Sequence, residues 1–190
     1  MSGEEPAGPQ ELGEEERRQL LDVARQAIAA RLSSTGFREP EVAPALRRPG
    51  AAFVTLRRRE PDELRGCIGT LEPREPLVQA VARMAVAAAT QDLRFPPVTA
   101  EELPFLVVEI SVLTAPAPIS PDRIQPGLHG LIVRHGGRSG LLLPQVATDH
   151  GWDRETFLQY TCRKAGLPAD AWRDPEAQLL AFTATVFGEE

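Results

Sequence analysis

Two apolar runs, AAFVTLRRR from Ala51 to Arg59 and ELRGCIGTL from Glu63 to Leu71, are separated only by Glu60, Pro61 and Asp62. A parallel pair of strands needs a crossover of a dozen or more residues, so a connection this short admits only an antiparallel hairpin. The second run sets Gly66 and Gly69 around Cys67, with Arg65 beside it. Glycine weakens a strand interior: it loses the most backbone entropy on folding and packs nothing. The segment therefore predicts a bulge, or a close approach of another part of the chain, at Cys67.

The elements around this hairpin follow from periodicity. EEERRQLLDVARQAIAARLSSTG places Leu20, Leu21, Ala24, Ile28 and Leu32 at helical spacing, with Glu14, Glu15 and Glu16 at the positive end of the helix dipole and Gly36 as terminator. Residues 1–13 are expected to be a flexible start and 14–190 one compact unit. Pro40, Pro44 and Pro49 make the next stretch a loop. The segment PLVQAVARMAVAAATQD, small and apolar nearly all round, reads as a buried helix, and FLVVEISVL as a strand with Glu109 among apolar neighbours. Gly136-Gly137 between apolar runs signals a second hairpin. Asp153 is placed to cap a helix that stops at Gly166 and Pro168, and QLLAFTATVFG alternates as a closing strand. Hairpins interleaved with helices, without a regular strand-helix repeat, indicate an α+β fold with a mostly antiparallel sheet.

Composition narrows the function classes. With 42% hydrophobic and 25% charged residues among 190, the chain can build a real core. A formal charge of −6 supplies no broad attraction to phosphate, so general nucleic-acid binding is not expected. No apolar run approaches the roughly 20 residues of a membrane span, and the acidic start differs from a cationic signal peptide, which predicts a soluble, cytoplasmic protein. Two cysteines, Cys67 and Cys162, do not make a disulfide framework, though a bond between them is compatible with the sequence. The three histidines stand apart, so no metal is expected, and neither a phosphate-binding loop nor a dinucleotide fingerprint points to a cofactor.

Several residues are candidates for chemistry. Cys67 is either a small hydrophobe packed at a bulge or a reactive thiol, with Arg65 and the N–H groups beside Gly66 and Gly69 favouring its thiolate. On a regular strand Arg65 and Cys67 share a face; a bulge at either glycine breaks that relation. A cysteine nucleophile commonly takes a histidine as base, for which His129 is the candidate, against a turn histidine bonded to backbone. Glu109 either joins such a site or faces solvent. Arg94, before Phe95-Pro96-Pro97, either binds an anion or caps a helix C-terminus. His135 and His150 are expected to be exposed without a role, and Cys162 to pack in the core.

The motifs FVTL, LRGCIGTL, RFPPV, VEISVLT, HGLIV, GLLLPQVA and GWDRETFLQYTCRKAGLP, in this order, closely resemble the AMMECR domain family, including its microbial AmmeMemoRadiSam system protein A members. The resemblance runs from about Phe53 to Trp172, and LRGCIG is the family's signature. It implies an α+β fold of two subdomains flanking a cleft, to which Cys67 and His129 would both contribute. It also implies association with a Memo-type protein and a radical S-adenosylmethionine protein. The family carries no settled reaction. Leu93, where the family usually has proline, and Asp62-Glu63, where a turn glycine is common, depart from its pattern. Two functions stay open: an accessory or adaptor component acting with those partners, or a cysteine-dependent enzyme on an unknown substrate.

Overall fold

The computed structural model describes residues 12–189; most of the expected flexible start lies outside them. The elements run α1 (Glu14–Leu32), β1 (Ala51–Arg58), β2 (Glu63–Gly69), α2 (Leu77–Thr90), β3 (Leu106–Leu113), β4 (Ala117–Pro118), β5 (Gly130–His135), β6 (Arg138–Leu142), α3 (Pro144–Asp149), α4 (Arg154–Lys164), β7 (Gln178–Phe182) and β8 (Ala184–Gly188). The fold is α+β and antiparallel, as the hairpin spacing predicts, and the described strands divide between two four-stranded sheets rather than one. Among the described residues two compact units result: 114–184 forms one, while 12–113 and 185–189 form the other.

In the longer unit the strands lie in the order β2-β1-β3-β8. Alternation along β1 and β3 sends Ala52, Val54, Leu56, Val108, Ile110 and Val112 to one face, where each is fully or almost fully buried in a core shared with α1 and α2. Thr55 and Glu109, from the intervening positions, lie on the other face and are only half-buried. Leu12, just before α1, belongs to the same core. The helix α1 ends at Leu32, four residues before Gly36, because Ser34 already adopts φ 54° and breaks the helical path. From α1, Arg25 reaches the Glu189 carboxylate and the carbonyl oxygens of Leu103 and Leu106. Glu189 also accepts the Val108 N–H at 2.8 Å, so this arginine ties helix, loop and strand together.

The shorter unit orders its strands β4-β7-β5-β6 around a core of Leu131, Val133, Phe157, Leu158 and Cys162. Gly136 and Gly137 take φ +55° and +78°, the left-handed pair that a two-residue hairpin turn demands. Asp153 caps α4 by accepting the Thr156 N–H at 2.8 Å. The expected single closing strand is two strands, β7 and β8, in different sheets. The break falls at Thr183, whose carbonyl accepts the Thr114 N–H but whose own N–H turns to a side-chain partner, Thr114 Oγ1. Among the described residues no helix is long and apolar enough to cross a membrane.

Candidate functional site around Cys67

The register between β1 and β2 pairs Leu56 with Gly66 but Arg57 with Leu64, which leaves Arg65 as the extra residue of a β-bulge. The bulge separates Arg65 from Cys67. Arg65 is 5% exposed and its guanidinium forms a fork onto Glu102, Nε to Oε1 at 3.1 Å and Nη2 to Oε2 at 3.0 Å. Its Nη1 donates to the Pro96 carbonyl at 2.8 Å. Glu102 in turn accepts the Thr99 N–H at 3.0 Å. This pairing holds the Glu102 carboxyl down to about 2, the hydrogen bonds from Arg65 outweighing desolvation. Arg65 thus buries its charge as a strut between β2 and the loop that follows α2.

The two glycines have separate reasons. A Cβ on Gly66 would stand 2.2 Å from the Ala88 carbonyl oxygen, so the bare backbone lets β2 lie directly on α2. A Cβ on Gly69 would meet the ring of Phe53, its cross-strand partner, at 2.2 Å. Phe53 covers Gly69 and replaces the packing that the missing side chain would supply.

Between them Cys67 is half-buried and its thiol is free. It lies opposite Thr55, whose hydroxyl oxygen stands 3.3 Å from the sulfur and donates to it. Thr55 pairs on its other side with Glu109. Cys67, Thr55 and Glu109 therefore form one row across β2, β1 and β3. Two strand spacings put Glu109 roughly 10 Å from Cys67, beyond direct proton transfer and wide enough for a small group to lie over Thr55.

Asp92, just past α2, closes the free edge of β2. Its Oδ2 accepts the Cys67 N–H at 2.9 Å, and Arg94 grips the same carboxylate through Nε at 2.9 Å and Nη2 at 2.7 Å. These bonds, the Arg94 side chain first among them, hold the Asp92 carboxyl far below the usual carboxylate range although the residue is only 7% exposed. Arg94 keeps more than half of its side chain exposed, and the hydrogen bonds to Asp92 raise its own pKa. Within the chain, the partner that fixes Arg94 is a carboxylate two residues earlier.

Of the residues singled out from the sequence, Cys67, Arg65, Gly66, Gly69, Arg94 and Glu109 belong to this unit. His129 belongs to the other, where it is 7% exposed and its Nδ1 accepts the Gln125 N–H at 3.1 Å. Cys162 is fully buried in the core of that unit, where desolvation pushes its thiol pKa up, and it is not disulfide-bonded. Thr55, Asp92 and Glu102 complete the geometry around Cys67 without having been singled out. The spacing of Asp92 to Arg94 was a usable signal, because an aspartate accepts backbone and side-chain donors two residues on.

A family model described as AMMECR1 matches residues 21–187. A protein of Thermofilum pendens is 46% identical over 94% of this chain and 92% of its own length. A protein of Methanothermobacter thermautotrophicus is 47% identical, covering 94% of this chain and 97% of the relative. The crystal structure of the uncharacterized protein PH0010 from Pyrococcus horikoshii superposes with a TM-score of 0.84 at 46% identity, covering 90% of each chain.

Proposed function

Since the chain belongs to the AMMECR1 family, we propose that it is a cytoplasmic accessory protein of that family whose working group is the Cys67 thiol. The carrying observation is the setting of Cys67: it is half-buried, its sulfur receives the Thr55 hydroxyl, and its N–H is held by the carboxylate that Arg94 grips. Hydrogen-bond donors and cations beside a sulfur are the surroundings in which working cysteines occur. Within its own unit the sulfur receives the Thr55 hydroxyl, a setting suited to an accessory that holds or presents a group through sulfur. Glu109, at the far end of the row, would then orient what lies over Thr55. The motif resemblance supplies the partner side of this reading, a Memo-type protein and a radical S-adenosylmethionine protein.

The test is iodoacetamide labelling of the native protein, resolved by peptide mass, with co-purification of the two partners alongside. Cys67 should be modified faster than free glutathione at pH 7, and Arg94→Gln should slow it. Modification at or below the rate of glutathione, with no effect of Arg94→Gln, would remove the thiol from the proposal. Failure of both partners to co-purify would remove the association.

A further inference from the structure

We propose that His135, Asp174 and Glu176 form a binding site for a divalent first-row transition-metal ion. The site lies in the shorter unit and shares no residue with the Cys67 row. His135 ends β5 immediately before the Gly136-Gly137 turn, and Asp174 and Glu176 flank Pro175 on the approach to β7. The two segments are pinned side by side because β5 and β7 pair, with Arg134 opposite Gln178. One potential ligand atom from each of the three side chains lies within 4.8 Å of the others.

The distances suit one ion. At metal-to-ligand distances of about 2.0–2.2 Å, two ligands lie about 3.4 Å apart in a tetrahedral site and at most about 4.4 Å apart across an ion. His135 Nε2 stands 3.1 Å from Asp174 Oδ2, already near the tetrahedral value, so small side-chain rotations bring the set together. The other carboxylate oxygen, Asp174 Oδ1, accepts the Glu176 N–H at 2.9 Å and holds the Asp174 carboxylate in orientation. A recess of about 360 Å³ adjoins His135 and Glu176, lined also by Gly136, Gly137 and Ser139, which leaves room for further coordination positions. Two arginines line the same recess, and one of them, Arg138, is drawn off to the Gly166 carbonyl at 2.7 Å.

The chemistry of the donors sets the class of ion. One imidazole and two carboxylates suit zinc and its neighbours, whereas magnesium and calcium favour oxygen ligands alone. Two carboxylates and a neutral imidazole carry a charge of about −2, which a divalent cation neutralises. The ion would join the β5–β6 hairpin to the segment entering β7, and so stabilise the folded unit by mass action.

Zinc chloride titrated into the chelator-stripped Cys67→Ser protein, followed by calorimetry, tests the site without competition from that thiol. One ion per chain should bind and raise the melting temperature. His135→Ala and Glu176→Gln should each weaken binding at least about tenfold, the scale set by losses of outer-shell partners alone, while His150→Ala should not. Cobalt(II), added to the same protein without further substitution, should perturb the NMR signals of the His135 ring before those of His129 and His150. Absence of saturable uptake, equal uptake by His135→Ala, or cobalt effects spread evenly over the three histidines would each overturn the proposal.

Discussion

Cys67 donates its backbone N–H to Asp92 across the free edge of β2, at 2.9 Å, while Arg94 holds the same carboxylate from the solvent side. An edge strand ordinarily exposes such a group to water or to another chain. Asp92→Ala should therefore both destabilise the protein and open this edge. Loss of charge-assisted bonds of this kind costs about 2 kcal/mol or more, and amide exchange at Cys67 should quicken beyond the change in global stability. Asp92→Asn, which keeps an acceptor oxygen, should cost less. Unchanged exchange at Cys67 in Asp92→Ala would mean that water replaces the carboxylate without loss.

Acid sensitivity follows from the carboxylate beneath Arg65. Glu102 has its pKa lowered from 4.5 to about 2 by the Arg65 hydrogen bonds, so its contribution to stability is fully present above about 4.5 and is lost as pH falls toward about 2. Asp92 is lowered in the same sense and loses its contribution in the acid limb as well. Denaturant unfolding measured from pH 6 down to pH 2 should show stability falling through this window. Glu102→Gln should be less stable than the parent at pH 6 yet fall less steeply below 4.5. Parallel pH profiles for the two proteins would contradict the pairing.

The glycines on either side of Cys67 should respond differently to alanine. At Gly66 the new methyl meets the Ala88 carbonyl of a buried helix, which can yield only if β2 and α2 separate. At Gly69 it meets a phenyl ring, and a side chain can turn aside. Gly66→Ala should cost at least about 3 kcal/mol, the upper end for overpacking, and Gly69→Ala about 1–2 kcal/mol. Adding Phe53→Leu should recover part of the Gly69→Ala loss and none of the Gly66→Ala loss. Equal costs would show that one common backbone strain governs both positions.

These residues also mark where the sequence was legible. The short link between β1 and β2, the Gly136-Gly137 turn and the Asp153 cap each follow from local chemistry, and each element formed where that chemistry placed it. The oddity of two glycines in a strand pointed to a bulge or a close approach, but the atoms approached, the Ala88 carbonyl and the Phe53 ring, come from sheet register and helix packing. The bulge at Arg65 depended on a one-residue shift in pairing, which no composition rule specifies. Thr55 stayed unnoticed because a threonine in a strand is ordinary until its cross-strand partner is known. His135 and Asp174 lie 39 residues apart in sequence, so only the pairing of β5 with β7 brings them together.

The two cysteines should separate under substitution by serine. At Cys67 the serine hydroxyl would keep a hydrogen-bond partner in Thr55 and partial access to water, so stability should change by less than about 1 kcal/mol. At Cys162 the hydroxyl would enter a core where the parent side chain is fully buried beside Phe157 and Leu158, costing about 1–3 kcal/mol. Thr55→Val provides the complementary change, because it keeps the β-branched shape while removing the donor to the sulfur. Its stability should stay close to that of the parent while alkylation of Cys67 slows at neutral pH. If Cys67→Ser destabilises the protein as much as Cys162→Ser, and Thr55→Val leaves the thiol's reactivity unchanged, Cys67 is a packing residue and the row across the sheet has no chemical role.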